Sequence, residues 1–89
     1  MTYVIIRHEV KDYRTWKKAF DDHGSMRKEN GEQSIQIFRE ADHENVIIAM
    51  AKWDTLERAK QFFESDDLKK GMEEAGVVGK PHMHFLNEI

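Results

Sequence analysis

Eighty-nine residues and 10.6 kDa make one domain at most, since domains run to roughly 50–200 residues. Charged residues are 35% and hydrophobic ones 39%, mean hydropathy is −0.77, and no run approaches the roughly 18 apolar residues that span a bilayer, which excludes a membrane helix. The net charge of −3 comes without a basic block, which argues against nucleic acid, and the absence of cysteine rules out disulfides, thiolate metal sites and a thiol nucleophile.

Met1–Ile6 has neither a basic start nor a long apolar stretch, so a cytoplasmic location is expected. Histidine stands out: five residues (His8, His23, His43, His82, His84), whose full protonation would carry the charge from −3 to +2. A chain this short buries only roughly 60–65% of its unfolded surface, so association with another copy is a reasonable source of further burial.

Tyr3–Val10 alternates as a strand, with Val4, Ile6, His8 and Val10 on one face and Tyr3, Ile5, Arg7 and Glu9 on the other. Asp12 can cap the helix that follows. Tyr13, Trp16, Phe20, His23 and Arg27 then form one apolar-rich stripe of a single helix, which Asn30-Gly31 stops. Ser34–Arg39 is a second strand, with Ile35 and Ile37 opposite Phe38. Ala41–Asn45 is a polar turn. Val46–Trp53 is apolar on both faces, as a central strand should be.

Asp54-Thr55-Leu56-Glu57 has capping-box spacing for a second helix whose buried face is Leu56, Ala59, Phe62 and Phe63. Ser65-Asp66-Asp67 caps a short third helix lined by Leu68, Met72 and Ala75 and ended by Gly76. Gly79-Lys80-Pro81 reads as a turn and His82–Ile89 as the last strand.

The order β-α-β-β-α-α-β is that of an α+β, ferredoxin-like split βαβ fold spanning residues 1–89. Right-handed crossovers place the helices on one side of a four-stranded antiparallel sheet. The other side is left open, yet the first and third strands carry apolar residues there as well. That pattern predicts a homodimer packed sheet to sheet.

His8 shares a strand face with Ile6 and Val10, and reads either as a buried histidine satisfied by a backbone or carboxylate partner or as a pocket base or hydrogen-bond donor. His23 shares the helix stripe with Trp16 and Phe20. If Val4, Ile6 and His8 face the helices, the two histidines point into one layer with aromatic walls, the composition of a small-molecule site. Arg27 can receive an anionic group or snorkel at the helix end. Trp53 is a core aromatic that can also wall the pocket. His82 and His84 share a strand face and could ligate a metal only if a third ligand, such as His8, approached; no metal is assigned. His43 lies in the polar turn and is expected to be solvated.

The run Val4-Ile5-Ile6-Arg7-His8-Glu9-Val10-Lys11-Asp12-Tyr13, with Trp16, Phe20 and His23, is similar to the opening of small proteins of the dimeric α/β-barrel superfamily. Ala51-Lys52-Trp53-Asp54-Thr55-Leu56-Glu57-Arg58-Ala59 resembles its strand-closing tryptophan and acidic-capped helix, and Ala75–Pro81 also fits. The superfamily includes the antibiotic biosynthesis monooxygenases, haem-degrading monooxygenases and lactone isomerases. The resemblance implies two ferredoxin-like subunits closing their sheets into a barrel, each with a pocket between sheet and helices. In the cofactor-free members an electron-rich aromatic substrate activates oxygen as its own carbanion.

By position, His8 falls where haem-degrading members have an asparagine, and Trp53 falls on their tryptophan. Their haem-ligating histidine has no counterpart between Leu56 and Ala75, so the likeness does not extend to haem degradation. The expectation is a homodimeric, cofactor-independent monooxygenase or related isomerase acting on a small aromatic or quinone-like compound. His8 and His23 would be catalytic, and Trp16, Phe20, Arg27 and Trp53 would bind substrate. The alternative is a non-catalytic ligand-binding or stress-response module of the same fold.

Overall fold

The computed structural model describes residues 1–89 as β1 (Thr2–Val10), α1 (Tyr13–Asp22), α2 (Gly24–Asn30), β2 (Glu32–Glu40), β3 (His43–Trp53), α3 (Leu56–Phe63), α4 (Asp66–Glu74) and β4 (Val77–Asn87). The four strands form one antiparallel sheet in the order β2-β3-β1-β4. This is the expected α+β arrangement, with the two apolar strands central. No helix is long and apolar enough to cross a membrane.

Local chemistry fixes the elements. Asp12 caps α1 by accepting from the Thr15 backbone N–H at 3.0 Å and from the Thr15 hydroxyl at 2.8 Å, and these bonds hold its carboxyl below the ordinary range. Gly31 follows α2 at φ 127°, where a Cβ would collide with the Asp54 side chain. Asp54 accepts from the Thr55 N–H and pairs with Arg58, which in turn donates to the Glu29 carbonyl. The α2–β2 corner is thereby tied to the start of α3.

Four expectations need correction. The first helix is two: α1 ends at Asp22, His23 is both its C-cap and the residue before α2, and Gly24 opens the second helix. The cap of α3 is Thr55, whose hydroxyl accepts from the Arg58 N–H at 3.1 Å, so Asp54 and Glu57 do not form the expected box. The Gly79–Pro81 segment is a bulge within a continuous β4, not a turn before it. His43 begins β3, exposed and paired with Glu40, because the turn is only Ala41-Asp42.

Val4, Ile6, His8 and Val10 of β1 and Ile47, Ala49, Ala51 and Trp53 of β3 face the helices, and all eight are buried. The apolar core falls into two clusters. One joins Val4, Ile6, Ala51 and Trp53 to Ala59, Phe62 and Phe63. The other joins Val10 and Ile47 to Trp16 and Ala75. Burying a side chain of this size contributes roughly 1.5–3 kcal/mol, so these positions carry the fold. Ala49 is buried yet belongs to neither cluster.

Candidate functional site

A cavity of about 100 Å³ lies between the two clusters, under all four helices and over the floor of the sheet. Its origin is in the sequence. Ala49 and Ala51 stand where the neighbouring inward positions of β3 carry Ile47 and Trp53, and Ala19, Gly71 and Ala75 line the helical side. Close packing of interiors leaves few voids. Five small side chains around one space make this one.

His8 is the polar group in the apolar wall. It is 6% exposed, and neither ring nitrogen has a hydrogen-bond partner within the protein. Its ring centroid is 5.4 Å from that of Trp16, which stacks on Phe20 at 5.0 Å. Burial lowers its pKa from 6.5 to about 4, so it is neutral at pH 7, with one ring nitrogen a donor and the other an acceptor. The β4 bulge lies opposite it: Arg7 pairs with His82 and Glu9 with Val78, and the register skips His8. Bulges recur beside functional sites.

The cavity has a second polar pole. Arg27 Nε donates to Glu32 Oε2 at 2.9 Å, and Arg27 Nη1 to the Phe20 carbonyl at 2.6 Å. Its guanidinium carbon lies 3.7 Å from the Phe20 ring centroid. The two side chains are only 12% and 2% exposed. Desolvation raises the Glu32 carboxyl above its ordinary pKa, while Arg27 pulls it the other way. Arg27 therefore points inward, already neutralised, and does not snorkel.

His8, Trp16, Phe20, His23 and Arg27 all line this one space. His23 does so from the rim: it is exposed, because the chain breaks helix there, and no hydrogen bond joins it to His8. Trp53 does not line the cavity. It is fully buried, packed on Phe62 and Phe63 at 5.2 and 5.4 Å, and its indole nitrogen has no partner. His82 and His84 are exposed on the opposite face of the sheet, while Met83 and Phe85 pack towards the helices. No three His, Asp or Glu side chains converge in a metal-ligating group.

Glu32 is the residue sequence reading misses. Strict alternation would put it on the face of Ser34, Gln36 and Phe38, towards the open side. An irregularity in the β2–β3 register between Glu32 and Ser34 turns it inward. Its one signal is its place directly after the glycine that ends α2.

No protein-family model matches the chain, and no curated protein matches it. Solved structures do. A protein of Bordetella bronchiseptica classed with the antibiotic biosynthesis monooxygenases superposes with a TM-score of 0.80 at 13% identity, over 99% of this chain and 96% of that one. A Caulobacter crescentus protein of the same class gives 0.78 at 19% identity, over 99% and 89%. SnoaB, a cofactor-independent oxygenase from Streptomyces nogalater, gives 0.73 at 12% identity, over 99% and 94%. At these identities the likeness speaks for architecture. The resemblance read in the first strand and around Trp53 is borne out at that level: this chain has the ferredoxin-like fold of the antibiotic biosynthesis monooxygenase-like proteins.

Proposed function

We propose that this chain forms a homodimer through its open sheet faces, and that its cavity takes a small hydroxyaromatic or quinone-like molecule on which it acts as a cofactor-independent oxygenase. The observation that carries the binding half is His8, a neutral, buried imidazole whose two nitrogens have no partner in the protein, set in a mostly apolar cavity whose other buried polar groups, Arg27 and Glu32, already satisfy each other. A buried polar group without a partner is costly, and a ligand hydroxyl, at once donor and acceptor, relieves that cost. At about 100 Å³ the cavity is smaller than an engineered cavity of about 150 Å³ that binds benzene, which limits the occupant to a single ring.

Support for the oxygenase half comes from the fold shared with SnoaB. In such a reaction a dihydroxyaromatic ring and O₂ give a hydroxyquinone and water. The ring loses four electrons, one oxygen atom stays in the product and the other leaves as water. His8 receives the hydroxyl proton. With a pKa of about 4 it is a weak base in its buried setting, but a phenolate forming at hydrogen-bond distance supplies the counter-charge that burial otherwise denies the imidazolium. Trp16 and Phe20 hold the ring, and Arg27 with Glu32 closes the far end. That same low pKa, with no carboxylate orienting the imidazole, favours the second reading: a binding module without turnover.

The test uses 1,4-dihydroxybenzene as probe, following O₂ uptake and the hydroxyquinone by mass spectrometry. Uptake in the wild type should fall about 100-fold or more in His8→Leu, with the circular dichroism spectrum unchanged. Unchanged uptake in His8→Leu removes His8 from the reaction. Probe binding without uptake in the wild type selects the binding module.

A further inference from the structure

We infer that Gly71 is the aperture of the cavity, the residue whose missing side chain leaves a way in for the ligand. Of all the residues lining the cavity only His23 and Asp67 are exposed, so the mouth lies between them. His23 stands at the α1–α2 junction; Asp67 is in the first turn of α4, and Gly71 lies four residues on, on the same face of that helix. A Cβ on Gly71 would stand 3.9 Å from His23 Cε1 and meet no other side chain within 4 Å. At that distance it would be in van der Waals contact and would close the gap between α4 and the α1–α2 junction.

Gly71 has no other structural reason to be glycine. It sits inside α4, its φ is not positive, and its carbonyl accepts the ordinary helical bond from Ala75 N–H at 2.9 Å. Glycine is among the poorest residues inside a helix, and alanine is the best. The space around the position accepts a methyl group without a clash. Helix stability and packing therefore both favour alanine, and glycine serves the opening. Asp67, exposed and lining the cavity, puts a negative charge at this entrance. The entrance suits a neutral ligand better than an anion.

The inference rests on the cavity being the binding site, and the experiment separates the two. Phenol is the probe, its exchange with the protein read from NMR line shapes, alongside Tm. Gly71→Ala should raise Tm by about 2–6 °C. It should slow phenol association and dissociation together, each about tenfold, leaving Kd within about threefold, because a mouth changes rates and not the bound state. Adding His23→Ala, which widens the opposite rim, should restore both rates. Ala49→Leu, which fills the floor, should instead abolish binding. Wild-type exchange rates in Gly71→Ala, with binding still lost in Ala49→Leu, would overturn the aperture while leaving the binding site in place. Phenol that fails to bind the wild type, or that binds Ala49→Leu normally, removes the cavity reading and the aperture with it.

Discussion

Two ring nitrogens without a partner in the protein, at 6% exposure, make His8 a cost to the fold, and its titration exposes that cost. Unfolded, the imidazole has its ordinary pKa of 6.5; folded, burial holds it at about 4. Between those values the unfolded chain binds more protons, so stability rises with pH. The contribution is complete above pH 6.5, declines as pH falls through the window, and is gone below about 4. At about 1.4 kcal/mol per unit the loss is roughly 3 kcal/mol. Urea midpoints measured from pH 7 to pH 4 should show this slope, and His8→Leu should flatten it; an equal slope in the variant would mean that another group titrates. The Arg27–Glu32 pair obeys a different rule. Removing Arg27 leaves a carboxylate that is 2% exposed without its partner, so Arg27→Met should cost about 3–5 kcal/mol, whereas the double change Arg27→Met with Glu32→Leu should recover most of it. A double variant as unstable as the single one would place the role of Arg27 in its bond to the Phe20 carbonyl.

At the scale of elements, what the sequence reveals divides along a physical line. Period-two alternation reports which residues share a face, and it grouped His8 with Val4, Ile6 and Val10; that this face is the helix side is what the structure adds. Capping chemistry is equally local, and Asp12, Asn30-Gly31 and Ser65 each act where their residue types suggest. What escapes is any departure from the period. The stripe from Tyr13 to Arg27 keeps helical spacing across His23-Gly24, so one helix and two helices give the same pattern, although the break moves His23 from the interior to the rim. Gly79-Lys80-Pro81 has turn chemistry, but residue type does not say whether the chain leaves the sheet or bulges and rejoins β1. The inward Glu32 has the same origin, a register irregularity that reverses parity. Both bulges adjoin the cavity, so the site's chemistry was partly readable, through His8, Trp16, Phe20 and Arg27, and its geometry was not. Trp53 shows the converse: its place at the end of a central strand was legible, but only the packing of Phe62 and Phe63 decides that it stays out of the cavity.

For the whole molecule, the sheet has one face too many. Phe38, Val78 and Leu86 are 49%, 40% and 42% exposed, and all three stand on the side away from the helices, beside the half-buried Ile5, Ile48 and Met50. The chain exposes 6144 Å², against about 5,500 Å² for a compact monomer of its mass. An apolar sheet face can pair with its own copy across a two-fold axis, the geometry of an isologous dimer and of the homodimer proposed above. Ile48 is central to it, opposite Arg7 on β1 and Phe38 on β2. Ile48→Glu puts one carboxylate from each copy into the interface, where desolvation and like charge both oppose association. The inward face and its two core clusters are untouched, so the variant should remain folded. Light scattering at micromolar concentration should give two chain masses for the wild type and one for Ile48→Glu. Association linked to folding also makes Tm climb with protein concentration. The wild type should show that climb and the variant should not. A wild type of one chain mass with a concentration-independent Tm would leave the apolar face without a second copy as its occupant.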